Sequence, residues 1–296
     1  MGHRALALFL FGTLLVTSSL GVCSDGVLDP KGPIAAAERL LMLNSTAIKL
    51  AIVIPTIIAT LGIAFWFRAS NSRAQYLPEF KYSGRLELVV WSIPIMTVLL
   101  TGGVAWVSSY DLDPPKALPS SVKPVRVQVV SLDWKWLFIY PDQGIATVNQ
   151  LTVPAGTPIS FELTSAGVMN SFFVPQLGGQ IYTMAGMVSR LNLQADDAGT
   201  FRGMSANFSG AGFSDMYFKV DALPRDGFAQ WLAAARKADA ALDMQTYAAL
   251  AKPSQAVAPI TYHAVAPDLF NDIVRVTGTS HQPSGLVSAT SQRTEQ

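Results

Sequence analysis

Few side chains of this chain could build a reaction centre. Cys23 is the only cysteine among 296 residues, and the three histidines are His3, His263 and His281. A metal site built on two thiolates is therefore impossible within this chain. One kind of chemistry that the residue types themselves leave open is modification of the thiol of Cys23.

Cys23 follows a segment that is typical of exported proteins. A short basic start precedes a mostly apolar stretch from Ala5 to Val16, and small and polar residues then lead to the cysteine. This order predicts a secretory signal at residues 1–22, which we exclude from the fold. Leu20-Gly21-Val22-Cys23 resembles a lipobox and predicts lipidation of Cys23. Because Val22 stands where Gly, Ala or Ser is usual, ordinary cleavage nearby and an uncleaved extra membrane helix are the alternatives.

The composition favours a membrane-attached protein. Charged residues make up 14% of the chain, hydrophobic residues make up 50%, and the formal net charge is +1. This balance gives no indication of a nucleic-acid partner, which would require a basic patch. The length allows one full extracytoplasmic domain beyond the membrane part.

Two stretches, Leu50–Phe67 and Leu88–Tyr110, contain no charged residue. Each reaches the length of about 18 to 20 apolar residues that crosses a bilayer, whereas the alternative is a buried helix pair of a soluble protein. Pro55 and Pro94 lie inside them, which membrane helices tolerate. We therefore predict a transmembrane hairpin at residues 47–110.

The connection between the two stretches predicts their orientation. It carries four basic residues, which are Arg68, Arg73, Lys81 and Arg85. An excess of Lys and Arg marks the cytoplasmic side of a membrane. The outer N-terminal segment, 23–46, and everything after Asp111 are then expected outside the cytoplasm.

The part after the membrane predicts an all-β domain. A proline-rich linker at 111–123 precedes short alternating stretches at 124–222, which turn residues separate at near-regular spacing. This pattern is typical of an antiparallel sandwich or barrel. From residue 223 the apolar period becomes helical, which predicts short helices over 223–276. The polar tail, 277–296, is expected to be disordered.

Two spans followed by an outer sandwich resemble subunit II of the haem–copper respiratory oxidases, whose outer domain is a cupredoxin sandwich. Three segments carry the resemblance: Glu87–Pro94 at the start of the second span, and two loops at Gly167–Pro175 and Gly203–Met216. In the cytochrome c oxidase branch these two loops hold a two-copper centre. The resemblance therefore implies a cupredoxin-like domain and directs attention to the copper positions.

The copper positions of this chain are degenerate. That branch uses two cysteines four residues apart, two histidines, a methionine and a glutamate carbonyl. Here Asn170 and Phe213 stand at the histidine positions, Ser205 and Ser209 at the cysteine positions, Asn207 at the glutamate position, and Met216 alone is retained. Bridged copper needs soft thiolates and imidazoles, which alcohols do not replace. The resemblance thus implies no metal in this chain, with Met216 as a core side chain.

Loss of the ligands with retention of the loops is typical of the quinol oxidase branch. Five segments are similar to that branch: Asp133–Pro141, Gln143–Asn149, Met169–Phe173, Met184–Met187 and Pro267–Phe270. Together they closely resemble subunit II of cytochrome bo-type ubiquinol oxidase. The resemblance implies a proton-pumping terminal oxidase that oxidises ubiquinol and reduces oxygen to water.

In that family the haems, the remaining copper and the quinol site belong to subunit I. The resemblance therefore implies a non-redox subunit that supports and caps subunit I, with smaller membrane subunits and the lipid bilayer as further partners. It places the complex in the bacterial inner membrane and the large domain in the periplasm. Glu87 matches a family glutamate near the mouth of a proton channel of subunit I, so we expect proton entry there. The alternative is an interfacial acid that only marks the start of the helix.

Other functions remain to be weighed. Trp134 and Trp136 match aromatic residues that pass electrons to copper in the cytochrome c branch, but without an acceptor we expect them to pack. A cytochrome c oxidase subunit with bound copper would need two cysteines four residues apart, which the sequence lacks. A membrane-anchored cupredoxin-like binding protein is the alternative from another class, and the similarity of Glu87–Pro94 to the oxidases argues against it.

Overall fold

The computed structural model describes residues 26–75 and 77–280, which divide into two compact units. One unit consists of residues 37–113, and the other joins the segment ending at Ala36 to everything after Asp113. We call them the helical unit and the outer domain. Cys23, the signal at 1–22 and most of the predicted disordered tail lie outside the described residues.

Two long helices correspond to the predicted spans. Helix α1 is Pro33–Trp66, with 34 residues, and helix α2 is Gly84–Asp111, with 28 residues. Both are long and apolar enough to cross a membrane, and their side chains in the helical unit are mostly exposed. Helix α1 begins well before the predicted boundary at residue 47, and its first turn belongs to the outer domain.

Hydroxyl groups inside the two helices find acceptors in their own helix. Thr56 Oγ1 donates to the carbonyl of Ile52 at 2.8 Å, and Thr97 Oγ1 donates to the carbonyl of Ile93 at 2.7 Å. A polar group in hydrocarbon must be satisfied within the protein, since no water is available there. This local pairing is what an apolar surrounding requires of these side chains.

The outer domain is a β-sandwich, as predicted. Its first ten strands are β1 Val125–Leu132, β2 Lys135–Tyr140, β3 Ile145–Val148, β4 Gln150–Pro154, β5 Pro158–Ser165, β6 Asn170–Phe173, β7 Ile181–Thr183, β8 Ser189–Gln194, β9 Gly199–Ser205 and β10 Tyr217–Leu223. The C-terminal extension contains α3 Arg225–Ala235, β11 Ala240–Leu242, α4 Met244–Leu250, β12 Ile260–Val265 and α5 Leu269–Ser280.

The strands form two sheets. The seven-stranded sheet has the order β11-β12-β3-β2-β1-β5-β8, and the five-stranded sheet has the order β4-β10-β9-β6-β7. Most neighbours are antiparallel, but β1 pairs with β5, β4 with β10, and β11 with β12 in parallel. The prediction of an antiparallel sheet is thus right for most pairs and wrong for these three.

Strand β2 shows how the sandwich is packed, because all its side chains are buried. Trp136, Phe138 and Tyr140 face the core between the two sheets. Leu137 and Ile139 alternate with them and pack in a second core, under the C-terminal extension. The seven-stranded sheet is therefore covered on both faces, which explains the apolar run in this strand.

The C-terminal extension is not only helical. The predicted short helices are present, and α5 runs four residues past the predicted end at 276. Two strands that the sequence analysis did not predict, β11 and β12, join the seven-stranded sheet, where Ile260 pairs with Val148 and Tyr262 with Ala146. The helical periodicity of the sequence indicated the surface helices correctly. The shorter segments β11 and β12 are strands because they extend an open edge of the seven-stranded sheet.

The backbone changes direction at Asn149, between β3 and β4. Asn149 adopts a positive φ of 55°, a left-handed conformation that asparagine tolerates better than most residues. Its Oδ1 accepts a hydrogen bond from the backbone N–H of Trp136, and its Nδ2 donates to the carbonyl of Val257. At Asn149 the chain passes from the seven-stranded sheet to the five-stranded sheet. The hydrogen bond to Val257 connects this point to the C-terminal extension.

Candidate functional site

The degenerate copper positions lie at one end of the five-stranded sheet. Asn170 begins β6, Ser205 ends β9, and the two strands pair with Phe172 opposite Ser205. The connection from β9 to β10 spans residues 206–216 and contains a short 3₁₀ turn at Phe213–Asp215. Strand pairing therefore fixes two of the positions, and a single loop carries the others.

Hydrogen bonds between neutral groups join these positions. The Ser205 hydroxyl donates to Asn170 Oδ1 at 3.0 Å and lies 3.2 Å from the carbonyl oxygen of Asn207. The Asn207 amide donates to the carbonyl of Met169 at 3.1 Å, and the Ser209 hydroxyl lies 3.9 Å from the Met216 sulfur. These contacts link Asn170 to Ser205, Ser205 to Asn207, and Ser209 to Met216.

The burial of this cluster limits what it can do. Asn170, Ser205 and Met216 are buried, with exposures of 2%, 6% and 1%. A buried polar group is costly unless it is hydrogen-bonded, and the pairing of Ser205 with Asn170 satisfies both side chains. The donor set is neutral and consists of oxygen, amide nitrogen and one thioether. It does not fit a two-copper centre, which needs thiolates and imidazoles.

Phe213, at the second histidine position, takes a different role from the polar positions. Its ring packs edge-on against the ring of Phe208, with a distance of 5.6 Å between the centroids. Phe208 is 76% exposed. The aromatic pair therefore forms an apolar surface on the loop instead of a ligand.

Trp134 packs against the connection from β9 to β10. The sequence analysis did not predict this contact. Its indole N–H donates to the carbonyl of Ser209 at 3.1 Å. A Cβ on Gly212 would lie 2.5 Å from the indole ring, and Gly210 has a φ of 109°. Glycine at both positions lets the loop backbone lie against the indole, and these two glycines are the sequence signal for the contact.

Trp136 belongs to the core. It is fully buried, and its ring lies 5.5 Å from Phe172 and 5.7 Å from Phe218, in edge-on geometry. Such aromatic pairs add stability beyond their buried area. Both tryptophans therefore have packing contacts, as expected.

Lys135, between the two tryptophans, is a buried cation that the sequence analysis did not single out. Its ammonium donates to Ser254 Oγ at 2.6 Å, to the carbonyl of Lys252 at 2.8 Å and to the carbonyl of Asp133 at 3.3 Å. Burial lowers the pKa of Lys135, and the carboxylate of Asp133 opposes this change. Through these hydrogen bonds, Lys135 links the C-terminal extension to the turn between β1 and β2.

His263, the histidine within the described residues, is not part of the cluster. His263 lies on β12 in the seven-stranded sheet, whereas Asn170 and Ser205 lie on strands of the other sheet. His3 and His281 are outside the described residues. Within residues 26–75 and 77–280, no three His, Cys, Asp or Glu side chains come together in a group that could hold a metal ion.

Glu87 lies in the helical unit, in the first turn of α2, and is exposed. Its position at the N-terminal end of a helix favours a negative charge through the helix dipole. The copper positions belong to the outer domain.

Comparison with known proteins agrees with this architecture. Residues 105–223 match the family described as cytochrome c oxidase subunit II, periplasmic domain, and residues 236–275 match the cytochrome oxidase aromatic-rich motif. A cytochrome bo(3) ubiquinol oxidase subunit 2 from Pseudomonas aeruginosa is 49% identical over 86% of this chain and 77% of its own length. A ubiquinol oxidase subunit 2 from Acetobacter aceti is 47% identical over 86% of this chain and 83% of its own length.

A crystal structure of the periplasmic domain of subunit II of cytochrome oxidase from Bradyrhizobium japonicum is also similar. It is 22% identical, has a TM-score of 0.38, and covers 41% of this chain and 98% of that domain.

Two apolar helices followed by a cupredoxin-like sandwich define a subunit II of the haem–copper oxidases. The similarity to the curated relatives extends over both parts of the chain. The protein belongs to the ubiquinol oxidase subunit 2 family and is membrane-anchored. The relatives are subunits of a quinol:oxygen oxidoreductase complex, as the sequence analysis predicted.

Proposed function

We propose that this chain is the non-redox subunit II of a proton-pumping terminal oxidase that oxidises ubiquinol and reduces oxygen to water. The observation that carries this proposal is the hydrogen bond between Ser205 and Asn170 at two former ligand positions. Each of these side chains uses its polar atoms on the protein, and neither can exchange electrons. Electrons from quinol must therefore enter the complex elsewhere.

The redox groups are assigned to the partner. Haems and copper lie in subunit I in this proposal, and the present chain binds and caps that subunit together with smaller membrane subunits. The long apolar helices support this assignment, because their side chains are exposed in the isolated chain and need lipid or protein around them.

The proposed location is the bacterial inner membrane, with both helices spanning it and the outer domain in the periplasm. The four basic residues between the helices support this orientation. In the opposite orientation this basic connection would have to cross the membrane, which is unfavourable. Lipidation of Cys23 on the periplasmic side agrees with the same topology.

Glu87 is the proposed proton-entry residue of this chain. It is exposed at the start of α2, next to the basic connection, where bulk water meets the membrane. A carboxylate there can take up protons from water and release them to an acceptor in subunit I.

Purification of the complex through a tag on this chain tests the function. We expect haem to co-purify, ubiquinol to drive oxygen uptake, and the Met216→Leu variant to keep both properties and the same copper content. Leucine conserves the volume of the buried thioether, so the domain should fold. Loss of copper from the variant complex, or a mixed-valence copper-pair signal in the electron paramagnetic resonance of the wild type, would contradict the proposal.

A further inference from the structure

The helical unit contains a cavity at the connection between its two helices. The cavity has a volume of 790 Å³ and lies between the end of α1, the start of α2 and residues 67–75 and 77–80 of the connection. Its apolar wall is formed by Ile63, Phe67, Leu77, Phe80 and Leu86. This volume falls within the range of about 300–1,000 Å³ that is typical of ligand sites.

A cation stands at the polar side of this cavity. Arg68 lines it together with Asn71 and Gln75. The guanidinium carbon of Arg68 lies 4.1 Å from the centre of the Phe65 ring, a cation–π contact that holds the charge at the end of α1. Asn71 is already engaged, since its amide donates to the carbonyl of Trp66 at 2.5 Å. Arg68 is therefore the charged group that a ligand in this cavity would meet.

The surrounding connection strengthens the positive charge. Residues 68–85 contain four basic residues and one acidic residue, Glu79, so their net charge is +4 − 1 = +3. Glu79 forms an ion pair with Lys81 at 3.6 Å, but both side chains are more than 80% exposed, so the pair is weak. An anion approaching the cavity thus meets an attractive field.

We propose that this cavity binds an anionic phospholipid, with an acyl chain against the apolar wall and the phosphate at Arg68. The assignment rests on the proposed orientation, which places the connection at the cytoplasmic surface of the membrane. Basic pockets beside membrane helices on that side recognise acidic headgroups. The net charge of +3 on the connection favours an anionic ligand. A neutral quinol or a zwitterionic lipid would gain little electrostatic attraction from this segment.

Native mass spectrometry of the purified complex tests the proposal. The complex is delipidated in detergent and titrated with palmitoyl-oleoyl phosphatidylglycerol, or with the phosphatidylethanolamine of the same chains. We expect Arg68→Gln to lower retention of phosphatidylglycerol about five-fold, since one basic residue near the surface contributes about 1 kcal/mol. Lys81→Gln is the matched control, because Lys81 lies in the same connection but does not line the cavity.

A second variant tests the cavity itself. Ala74 lines it, so Ala74→Phe should fill part of the volume and reduce retention of phosphatidylglycerol while leaving Arg68 in place. Equal retention by Arg68→Gln and Lys81→Gln, equal retention of the two lipids by the wild type, or no bound lipid because subunit I covers the cavity would each overturn the proposal. Haem content and quinol oxidation, measured on the same samples, separate this result from a failure of the proposed function.

Discussion

The Ser205 hydroxyl donates a hydrogen bond to Asn170 Oδ1 at 3.0 Å, and both side chains are buried. The two residues lie on neighbouring strands, β9 and β6, at positions that the sequence resemblance matches to copper ligands of the cytochrome c oxidase branch. A polar pair thus holds together the part of the sandwich that a metal centre would otherwise join. Asn170, Ser205 and Asn207 each have a hydrogen-bond partner in the protein, which helps the loop to keep its shape.

Ser205→Ala should destabilise the outer domain without affecting catalysis. The change leaves Asn170 Oδ1 buried without its donor, which costs about 1–3 kcal/mol. We expect a lower thermal midpoint for protease resistance of this subunit in the complex, with unchanged quinol-driven oxygen uptake. Ser209→Ala is the control, because the Ser209 hydroxyl makes only a long contact, of 3.9 Å, to sulfur. A large loss of activity at full stability would contradict the structural role.

Asp221→Asn should weaken the domain at neutral pH. The carboxylate accepts hydrogen bonds from Thr200 Oγ1 at 2.8 Å and Gln150 Nε2 at 3.0 Å, and pairs with Lys219 at 2.9 Å. Burial acts to raise the pKa of Asp221, but these partners outweigh burial and hold the pKa below its usual 3.8. The amide keeps the shape and loses the charge, at a cost of about 1–2 kcal/mol.

The pH dependence of this effect has a definite sign. Because the folded pKa of Asp221 is depressed, its stabilisation is present above pH 3.8 and is lost as the pH falls through the folded pKa. The thermal midpoints of the wild type and Asp221→Asn should therefore differ at neutral pH and converge in acid. Asp197→Asn, at an exposed position, is the control. A constant difference at all pH values would exclude the proposed linkage.

Glu87→Ala should slow turnover severalfold while the complex assembles normally. The reason is the loss of a proton-collecting carboxylate at the membrane surface. Oxygen uptake per haem measures the effect, and Glu87→Asp should restore much of the rate. Glu79→Ala removes another exposed carboxylate, next to Lys81 in the same connection, and should leave the rate unchanged. Unchanged oxygen uptake in Glu87→Ala would leave only the role of an interfacial acid.

Cys23→Ser should change the mature N-terminus without preventing assembly. Mass spectrometry of the wild-type subunit should show an N-terminal fragment that begins at Cys23 and carries lipid. The variant should lack this fragment and still co-purify with haem, because α1 and α2 attach the chain to the membrane. An unmodified wild-type N-terminus would favour ordinary signal cleavage or an uncleaved helix.

The sequence predicted the fold class because two strong signals coincide: uncharged stretches of membrane length and alternating strands. The assignment of side chains to the copper positions came from the resemblance of two loop segments and stays a prediction. The sequence did not predict β11, a strand of three residues, Ala240–Leu242. Such a short strand has no periodicity of its own and is specified by its partner, β12.

The long-range contacts around the copper positions could not be predicted from the sequence either. Trp134 adopts a positive φ of 64° and lies in the turn before β2, which no local pattern indicated. The contact of its indole with Ser209 joins residues 75 positions apart. By its place in an alternating strand, Lys135 would be expected to face solvent. In the structure it is buried, because the C-terminal extension supplies acceptors for its ammonium group. Long-range packing, which local patterns do not contain, decides both.

The pairing of β12 with β3 has a consequence for the order in which the outer domain can be completed. Ile260 and Val148 are neighbours in the seven-stranded sheet, yet more than a hundred residues of chain separate them. Until β12 arrives, β3 is an open sheet edge, which is a template for unwanted pairing. Because a chain is synthesised from its N-terminus, β3 stays at an open edge until residues 260–265 have been made. The C-terminal extension thus determines how late in synthesis the seven-stranded sheet gains its last neighbour for β3.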